Sequence, residues 1–304
     1  MKKIRHFKSL LDINKKEFLR IIERAITLKK DSQKNINHNI FNNKTLAMIF
    51  KKNSTRTRVA FETAMSKMNG HAIFLSSDTT QLSRGENISD TGKVLSGMVD
   101  IILIRTHDHN EVVELAQHSS VPVINGLTAK FHPCQLLADM QTFYEEKGTF
   151  EDKKIAWVGD GCNMCNSYIN AAKLLDFQLK ISTPSGFEPD QKTLSLASDN
   201  VELCDLPGKA VEDCDLVTTD VWASMGDESD IEKRKQLFKG FQINKHLFEK
   251  AKQNAIFMHC LPAHRGEEVE SEVIDGPRSR VWQQAQNRLF TSQALIEFLL
   301  TESE

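Results

Sequence analysis

The sequence predicts an α/β protein made of two doubly wound parallel-sheet domains with helices on both faces. Eight short apolar runs carry this reading, at 45–50, 72–75, 101–104, 121–124, 155–158, 179–182, 216–219 and 256–258. Stretches of helical periodicity separate them, among them 56–68, 134–146 and 167–175. Strands that are apolar throughout are buried on both faces, which requires a parallel sheet covered by crossover helices. The chain of 304 residues has room for two such units.

In chain order, the first 30 residues read as helical. Asn14 and Glu17 have the spacing of a capping box, and Leu19, Ile22 and Ile26 follow on one face. Alternating runs and helices occupy the next hundred residues. The seam between the units falls within 130–153, where a helical stretch ends at Lys147-Gly148 and a new strand opens near Lys153. The expected division is therefore 1–147 and 148–283. The long amphipathic stretch 282–300 belongs to a C-terminal helix, about 284–304, that returns to the first domain. No internal repeat, low-complexity segment or long linker interrupts this pattern.

Composition narrows the function. Lys plus Arg number 39 against 41 Asp plus Glu, a formal charge of -2, which argues against a general nucleic-acid binder. A hydrophobic content of 40% argues against disorder. No apolar run approaches the roughly 18 residues of a membrane span, and charges interrupt the basic start before a signal core forms. A cytoplasmic location is expected, with the six cysteines as reduced thiols.

Ligands of doubly wound sheets bind at the carboxyl ends of strands, so the segments just past each run matter most. After the run 45–50 comes Lys-Lys-Asn-Ser54-Thr55-Arg56-Thr57-Arg58, opening a helix. Hydroxyls and guanidiniums at a helix N-terminus make a phosphate cradle; the plainer alternative is an ordinary N-cap among solvated basic residues. Arg105 ends a buried run and needs an anionic partner or an escape to solvent. His132-Pro-Cys-Gln135 places an imidazole and an amide at another helix start, where together they can polarise a carbonyl.

Gly159-Asp-Gly-Cys162-Asn163-Met164-Cys165 is a strand–turn–helix segment. It fails as a dinucleotide fingerprint because Met164 stands at the third glycine position. A redox or zinc role for its Cys-x-x-Cys lacks a second such pair. Asn163 is the better candidate for a polar ligand. Asp220…Ser224-Met225-Gly226 offers a carboxylate and a hydroxyl suited to an ammonium group. His259-Cys260-Leu261-Pro262 follows the last run; Cys260 is a candidate nucleophile or an inert thiol, and Leu261-Pro262 a candidate cis bond. Arg288 lies on the C-terminal helix.

The ordered set Ser54-Thr-Arg-Thr-Arg58, Gln81-Leu-Ser-Arg-Gly-Glu86, His132-Pro-Cys-Gln135, Asp220…Ser224-Met-Gly226 and His259-Cys-Leu-Pro262 resembles the anabolic ornithine carbamoyltransferases. The likeness runs nearly end to end. The resemblance implies transfer of a carbamoyl group from carbamoyl phosphate to the δ-amine of L-ornithine, giving L-citrulline and phosphate in arginine biosynthesis. It also implies a first domain for carbamoyl phosphate, a second for ornithine, and assembly as a homotrimer or multiples of it. Ser54, Thr55, Arg56, Thr57 and Arg105 would hold the phosphate. Thr57, Arg105 and His132 would contact the carbonyl oxygen, and Gln135 the carbamoyl amine. Gln81 would reach in from a neighbouring subunit. Asn163, Asp220, Ser224 and Met225 would bind the amino-acid end of ornithine. Cys260 and Leu261 would lie on the carbamoyl side, near the side-chain amine, and Arg288 would complete the carbamoyl site. Arg56, Arg105, His132 and Cys260 are the expected catalytic residues. No metal or organic cofactor is implied, nor any nucleic-acid or membrane partner.

Three positions depart from the family pattern. Ala129 stands where Asp is usual, Cys162 where the first of two asparagines is usual, and Ser83 where Gly is common. The rival readings are a nucleotide-dependent dehydrogenase, a thiol or zinc module built on Cys162, Cys165 and Cys260, and a carbamoyltransferase for putrescine or an acylated ornithine.

Overall fold

A computed structural model of the chain describes residues 4–76, 85–223 and 231–302. It divides into two compact units, 1–141 with 286–304, and 142–285.

The first unit opens with a short 3-10 turn, Leu10–Asp12, and helix α1, Lys15–Gln33. Its sheet contains β1 (Thr45–Phe50), β2 (His71–Ser76), β3 (Ile101–Arg105) and β4 (Val123–Leu127). Helices α2 (Thr55–Lys67), α3 (Ile88–Ser96), α4 (His109–His118) and α5 (Pro133–Lys147) alternate with them. The strands pair in parallel in the order β2-β1-β3-β4. Strands β1 and β3 are buried along almost their whole length. Ile49, Ile102 and Ile104 pack with Val112 and Leu115 of α4 in one apolar cluster.

The second unit contains β5 (Lys154–Val158), α6 (Asn163–Leu175), β6 (Gln178–Ser182), α7 (Gln191–Leu196), β7 (Val201–Leu203), α8 (Pro207–Val211) and β8 (Leu216–Thr219). It continues with α9 (Ile231–Phe238), α10 (Lys245–Phe248), β9 (Ile256–His259) and α11 (Ser271–Ile274). Its five parallel strands run β7-β6-β5-β8-β9. Val158, Val217 and Phe257 from the sheet meet Val211, Phe248 and Ile274 in its core.

Helix α12, Val281–Glu302, closes the chain. Its later turns belong to the first unit, as the sequence anticipates: Arg24 Nε donates to Glu297 at 2.8 Å, and the Arg5 and Arg20 guanidiniums lie over the Phe298 ring. Among the described residues no helix is long and apolar enough to cross a membrane.

Two details differ from the sequence reading. Helix does not fill the first 30 residues. Around Phe7, ahead of the 3-10 turn, the chain pairs as a strand, and Phe7 N–H donates to Val123 O while Asn125 N–H donates to Phe7 O, both at 2.8 Å. The segment covers the open edge of β4, which would otherwise expose unpaired backbone groups. The Asn14–Glu17 capping box is present, but the buried face of α1 is Phe18, Ile21, Ile22, Ala25 and Leu28, with Leu19 and Ile26 at its margin. The short edge strand β7 also went unread, since three residues ending in two exposed positions carry no apolar signal.

In each parallel sheet the order of strand addition reverses once, between β1 and β3 in the first unit and between β5 and β8 in the second. The ends of those strands and the segments leaving them carry Ser54, Thr55, Arg56, Thr57, Arg105, Asn163 and Asp220; His132 and Gln135 follow β4, Cys260 and Leu261 follow β9, and Arg288 lies on α12.

Candidate active site

In the first unit, Ser54 caps α2 from extended backbone and its Oγ accepts from Thr57 N–H at 3.3 Å. The first turn of α2 holds no acidic residue, so its free N–H groups and dipole end remain positive. Thr55 and Arg56 on this turn are exposed, whereas Thr57 is buried.

Arg105 ends β3, only 6% exposed. A register shift between Ile104 and Arg105 brings it opposite Leu127 rather than Gly126. Gly126 allows this, because a Cβ there would sit 2.9 Å from the Leu103 side chain. Such irregularities re-aim side chains at strand ends. Burial, then Arg288, then Arg56, lower the Arg105 pKa to about 10, so the group stays charged at neutral pH. Its Nε has no hydrogen-bond partner among the described residues.

His132 precedes the proline that opens α5 and is also buried. Burial first, then Arg288, Arg105 and Arg56, hold its pKa well below the usual histidine value. It is therefore a neutral imidazole at pH 7 and can donate a proton in a hydrogen bond without adding charge. Arg288, on α12, points Nη1 at Gln135 Oε1 (2.5 Å) and Nη2 at Thr57 Oγ1 (3.0 Å). Gln135 is fixed from its other end by Asp139, which accepts from Nε2 at 2.8 Å. Three guanidiniums and a neutral imidazole thus converge, and the neighbouring guanidiniums add to burial in lowering the pKa of Arg105 and of His132. Mutual repulsion among buried cations is costly, and an anion with several oxygens relieves it.

In the second unit, Asp220 follows β8 and is buried. Its Oδ1 accepts from Val221 N–H at 2.8 Å and from Cys260 Sγ at 3.2 Å. Its Oδ2 lies 3.8 Å from Cys162 Sγ, the residue that caps α6 immediately before Asn163. Cys162 is thus a thiol donor to Asp220, and its departure from the family pattern leaves that carboxylate partnered. Burial, then Asp220 and Asp160, push the Cys162 pKa well up; burial does the same to Cys165. Thiols so disfavoured as thiolates do not suit redox exchange. Cys260, its proton aimed at a carboxylate, is arranged as a donor rather than as a free thiolate.

The loop after β9 is braced from below. His259 Nδ1 accepts from Leu261 N–H at 2.9 Å, and Nε2 faces Glu268 Oε1 at 3.1 Å. Leu261 has a positive φ of 57° and is joined to Pro262 by a cis bond. Asp220, His259 and Cys260 bring possible metal-ligand atoms within 4.8 Å of one another, yet both His259 nitrogens are already engaged within the protein.

Arg234 on α9 braces two further loops. Its Nη2 donates to Asp160 Oδ2 at 2.6 Å, its Nε donates to Trp222 O at 2.8 Å, and its guanidinium lies over Phe187. Arg234 therefore ties the loop after β5, which carries Asn163, to the loop after β8, which carries Asp220. Neither Arg234 nor Glu268 could be found from sequence: each lies in a polar stretch of sequence and gains meaning only from its partner. Gln81, Ser224, Met225 and the Ser83 departure fall outside the described residues.

The carbamoyl-P binding domain of the aspartate/ornithine carbamoyltransferases matches residues 5–145, and their Asp/Orn binding domain matches residues 151–299. The chain belongs to this carbamoyltransferase family. Among curated members, the ornithine carbamoyltransferase of Hydrogenovibrio crunogenus is 51% identical over 300 residues, 99% of each chain. That of Chromohalobacter salexigens is 52% identical, covering 97% of each. Of solved carbamoyltransferase structures, that from Pyrococcus furiosus superposes with a TM-score of 0.93 at 47% identity and 96% coverage of both chains. The anabolic ornithine carbamoyltransferase of Campylobacter jejuni gives 0.90 at 38% identity, covering 97% of this chain and 99% of that one.

Proposed function

We propose that this chain transfers the carbamoyl group of carbamoyl phosphate to the δ-amine of L-ornithine, yielding L-citrulline and inorganic phosphate, a step of arginine biosynthesis. The cationic cluster of Arg56, Arg105 and Arg288 around neutral His132 carries the donor half of this reading. Buried Asp220 carries the acceptor half: a carboxylate in the acceptor loop favours the α-ammonium of ornithine and repels the two carboxylates of aspartate.

In the donor half, Ser54, Thr55, Arg56 and Thr57 hold the phosphate with Arg105. Arg105, His132 and Thr57 donate to the carbonyl oxygen, and Gln135 accepts from the carbamoyl amine. The lone pair of the neutral δ-amine attacks the carbonyl carbon, and negative charge builds on its oxygen. The bond to the phosphate oxygen then breaks, the electron pair leaves with phosphate, and the phosphate takes up the proton that the attacking nitrogen loses. Donors fixed before the reaction at both developing charges lower the barrier, and the bound pair of substrates supplies proximity. Asn163, Ser224 and Met225 hold the amino-acid end with Asp220, and Cys260 with Leu261 borders the reacting amine.

Residues 1–147 with about 284–304 form the carbamoyl-phosphate domain in this reading, and 148–283 the ornithine domain. The working form is a cytoplasmic homotrimer or a multiple of it, in which Gln81 completes a neighbour's site. A citrulline assay offering ornithine, putrescine and aspartate in parallel tests the function. Ornithine should exceed putrescine by roughly tenfold or more in kcat/KM, because putrescine leaves buried donors for the α-carboxylate unpaired. Equal use of putrescine would overturn the ornithine assignment.

A further inference from the structure

The two loops that carry the anion-binding groups of the first unit share one carboxylate. Strands β1 and β3 end side by side, with Phe50 opposite Arg105, and Lys51 N–H donates to Arg105 O at 2.9 Å. Beyond that bond the chains part, one toward Ser54 and the other toward α4. Glu111, in the first turn of α4, spans the gap. Its Oε1 lies 2.6 Å from Lys51 Nζ, and its Oε2 accepts from Thr106 Oγ1. Lys51 stands three residues before Ser54, and Thr106 directly follows Arg105.

Glu111 is itself well anchored. Asp108 caps α4 through Asn110 N–H at 2.9 Å, and Val112, Leu115 and Ala116 bury the helix in the core. A carboxylate on a fixed helix turn, gripping a cation from one loop and a hydroxyl from the next, sets the spacing between them. We propose that Glu111 is a positioning residue of the donor half-site, holding the Ser54–Arg56 turn and Arg105 at the separation that one phosphate-bearing substrate requires. It does this without touching the substrate. The inference rests on the carbamoyl-phosphate reading of this half-site and adds a residue to it.

The sign of the effect separates positioning from charge. A carboxylate near an anion site opposes anion binding, so if Glu111 acted only through its charge, neutralising it would tighten phosphate. If it sets the geometry, the same change loosens phosphate. The test measures inorganic phosphate and carbamoyl phosphate binding to the full chain by calorimetry, for wild type, Glu111→Gln, Glu111→Ala and the charge exchange Lys51→Glu with Glu111→Lys.

Glu111→Ala should weaken both ligands by at least about tenfold and raise the KM for carbamoyl phosphate, leaving the KM for ornithine at saturating carbamoyl phosphate unchanged. Glu111→Gln should weaken binding less, since its amide oxygen still accepts from Thr106. The exchanged pair should bind better than Lys51→Glu alone or Glu111→Lys alone, which general destabilisation would not produce. Unchanged or tighter binding in both single neutralising variants, or an exchange no better than the worse single, overturns the proposal. Wild-type protein that binds neither ligand overturns the half-site reading itself and the proposal with it.

Discussion

Burial and like charge act together on Arg105 and His132, and the outcomes differ because their ordinary pKa values differ. Arg105 falls only to about 10 and keeps its charge, while His132 is driven to the neutral form. The pair therefore offers one cationic and one neutral donor across the whole neutral range. Arg56, exposed on the same cluster, supplies charge opposite the departing phosphate in the proposed reaction. Arg56→Ala should lower turnover by ~10²-fold or more, the scale for losing one transition-state donor; near-normal turnover at saturating carbamoyl phosphate would remove Arg56 from that role. Asp220→Asn should raise the KM for ornithine while calorimetric binding of carbamoyl phosphate stays at the wild-type value, because its hydrogen-bond partners among the described residues, Val221, Cys260 and Cys162, lie in the second unit. A parallel loss of carbamoyl phosphate binding would count against separate half-sites. Among these residues, Arg105 and Asp220 stand out as candidates in the sequence because charge at the end of an apolar run is conspicuous. Glu111 and Arg234 on helices, and Glu268 in a polar turn, do not stand out, since a charge in a polar stretch of sequence looks like any solvated charge until its partner is known.

The N-terminal segment illustrates the scale of elements. His6 Nδ1 accepts from Val123 N–H at 3.1 Å where the chain covers the edge of β4. Burial, then Lys8, lower its pKa to about 4, opposed by Asp12. An unfolded histidine titrates near 6.5. Between those values the unfolded chain binds a proton that the folded chain refuses, so stability is complete above about pH 6.5 and falls as the pH drops toward 4. His132 and His109 are shifted in the same direction and add to the slope. The melting temperature should decline over this window, and His6→Asn, which keeps an acceptor for Val123, should make the decline shallower. An identical slope in the variant would exclude His6 as a contributor. A second element-scale case is the turn after β5. A Cβ on Gly161 would run into the backbone of Phe187, Glu188 and Pro189, and overpacking of this kind costs about 1–3 kcal/mol. Gly161→Ala should lower the melting temperature and raise the KM for ornithine, since the turn leads directly to Asn163. Retention of both would show that the turn yields without moving Asn163.

At the scale of the whole molecule, the proposed assembly places Gln81 of one subunit in the site of another. Arg56→Ala chains and Gln81→Ala chains, each inactive alone, should regain part of the wild-type activity when refolded together, because a mixed trimer can form a site with both residues intact. Sedimentation should report about three chain masses for the wild type. No recovery in demonstrated mixed trimers would mean that each site is built from a single chain.

The sequence by itself determined the two doubly wound sheets, most strand positions, the cap of α2 and the family. These are written locally, in runs of apolar residues and in short motifs at fixed spacing, and parallel strands buried on both faces leave little choice of architecture. Only the tertiary structure decided which charges meet. Arg288 reaches Thr57 and Gln135 from the far end of the chain, Phe7 pairs with the edge of β4, and Cys162 and Cys260 converge on Asp220. Such pairings join residues tens to hundreds of positions apart, and no local pattern encodes them, because each is fixed by the packing of the elements that carry it.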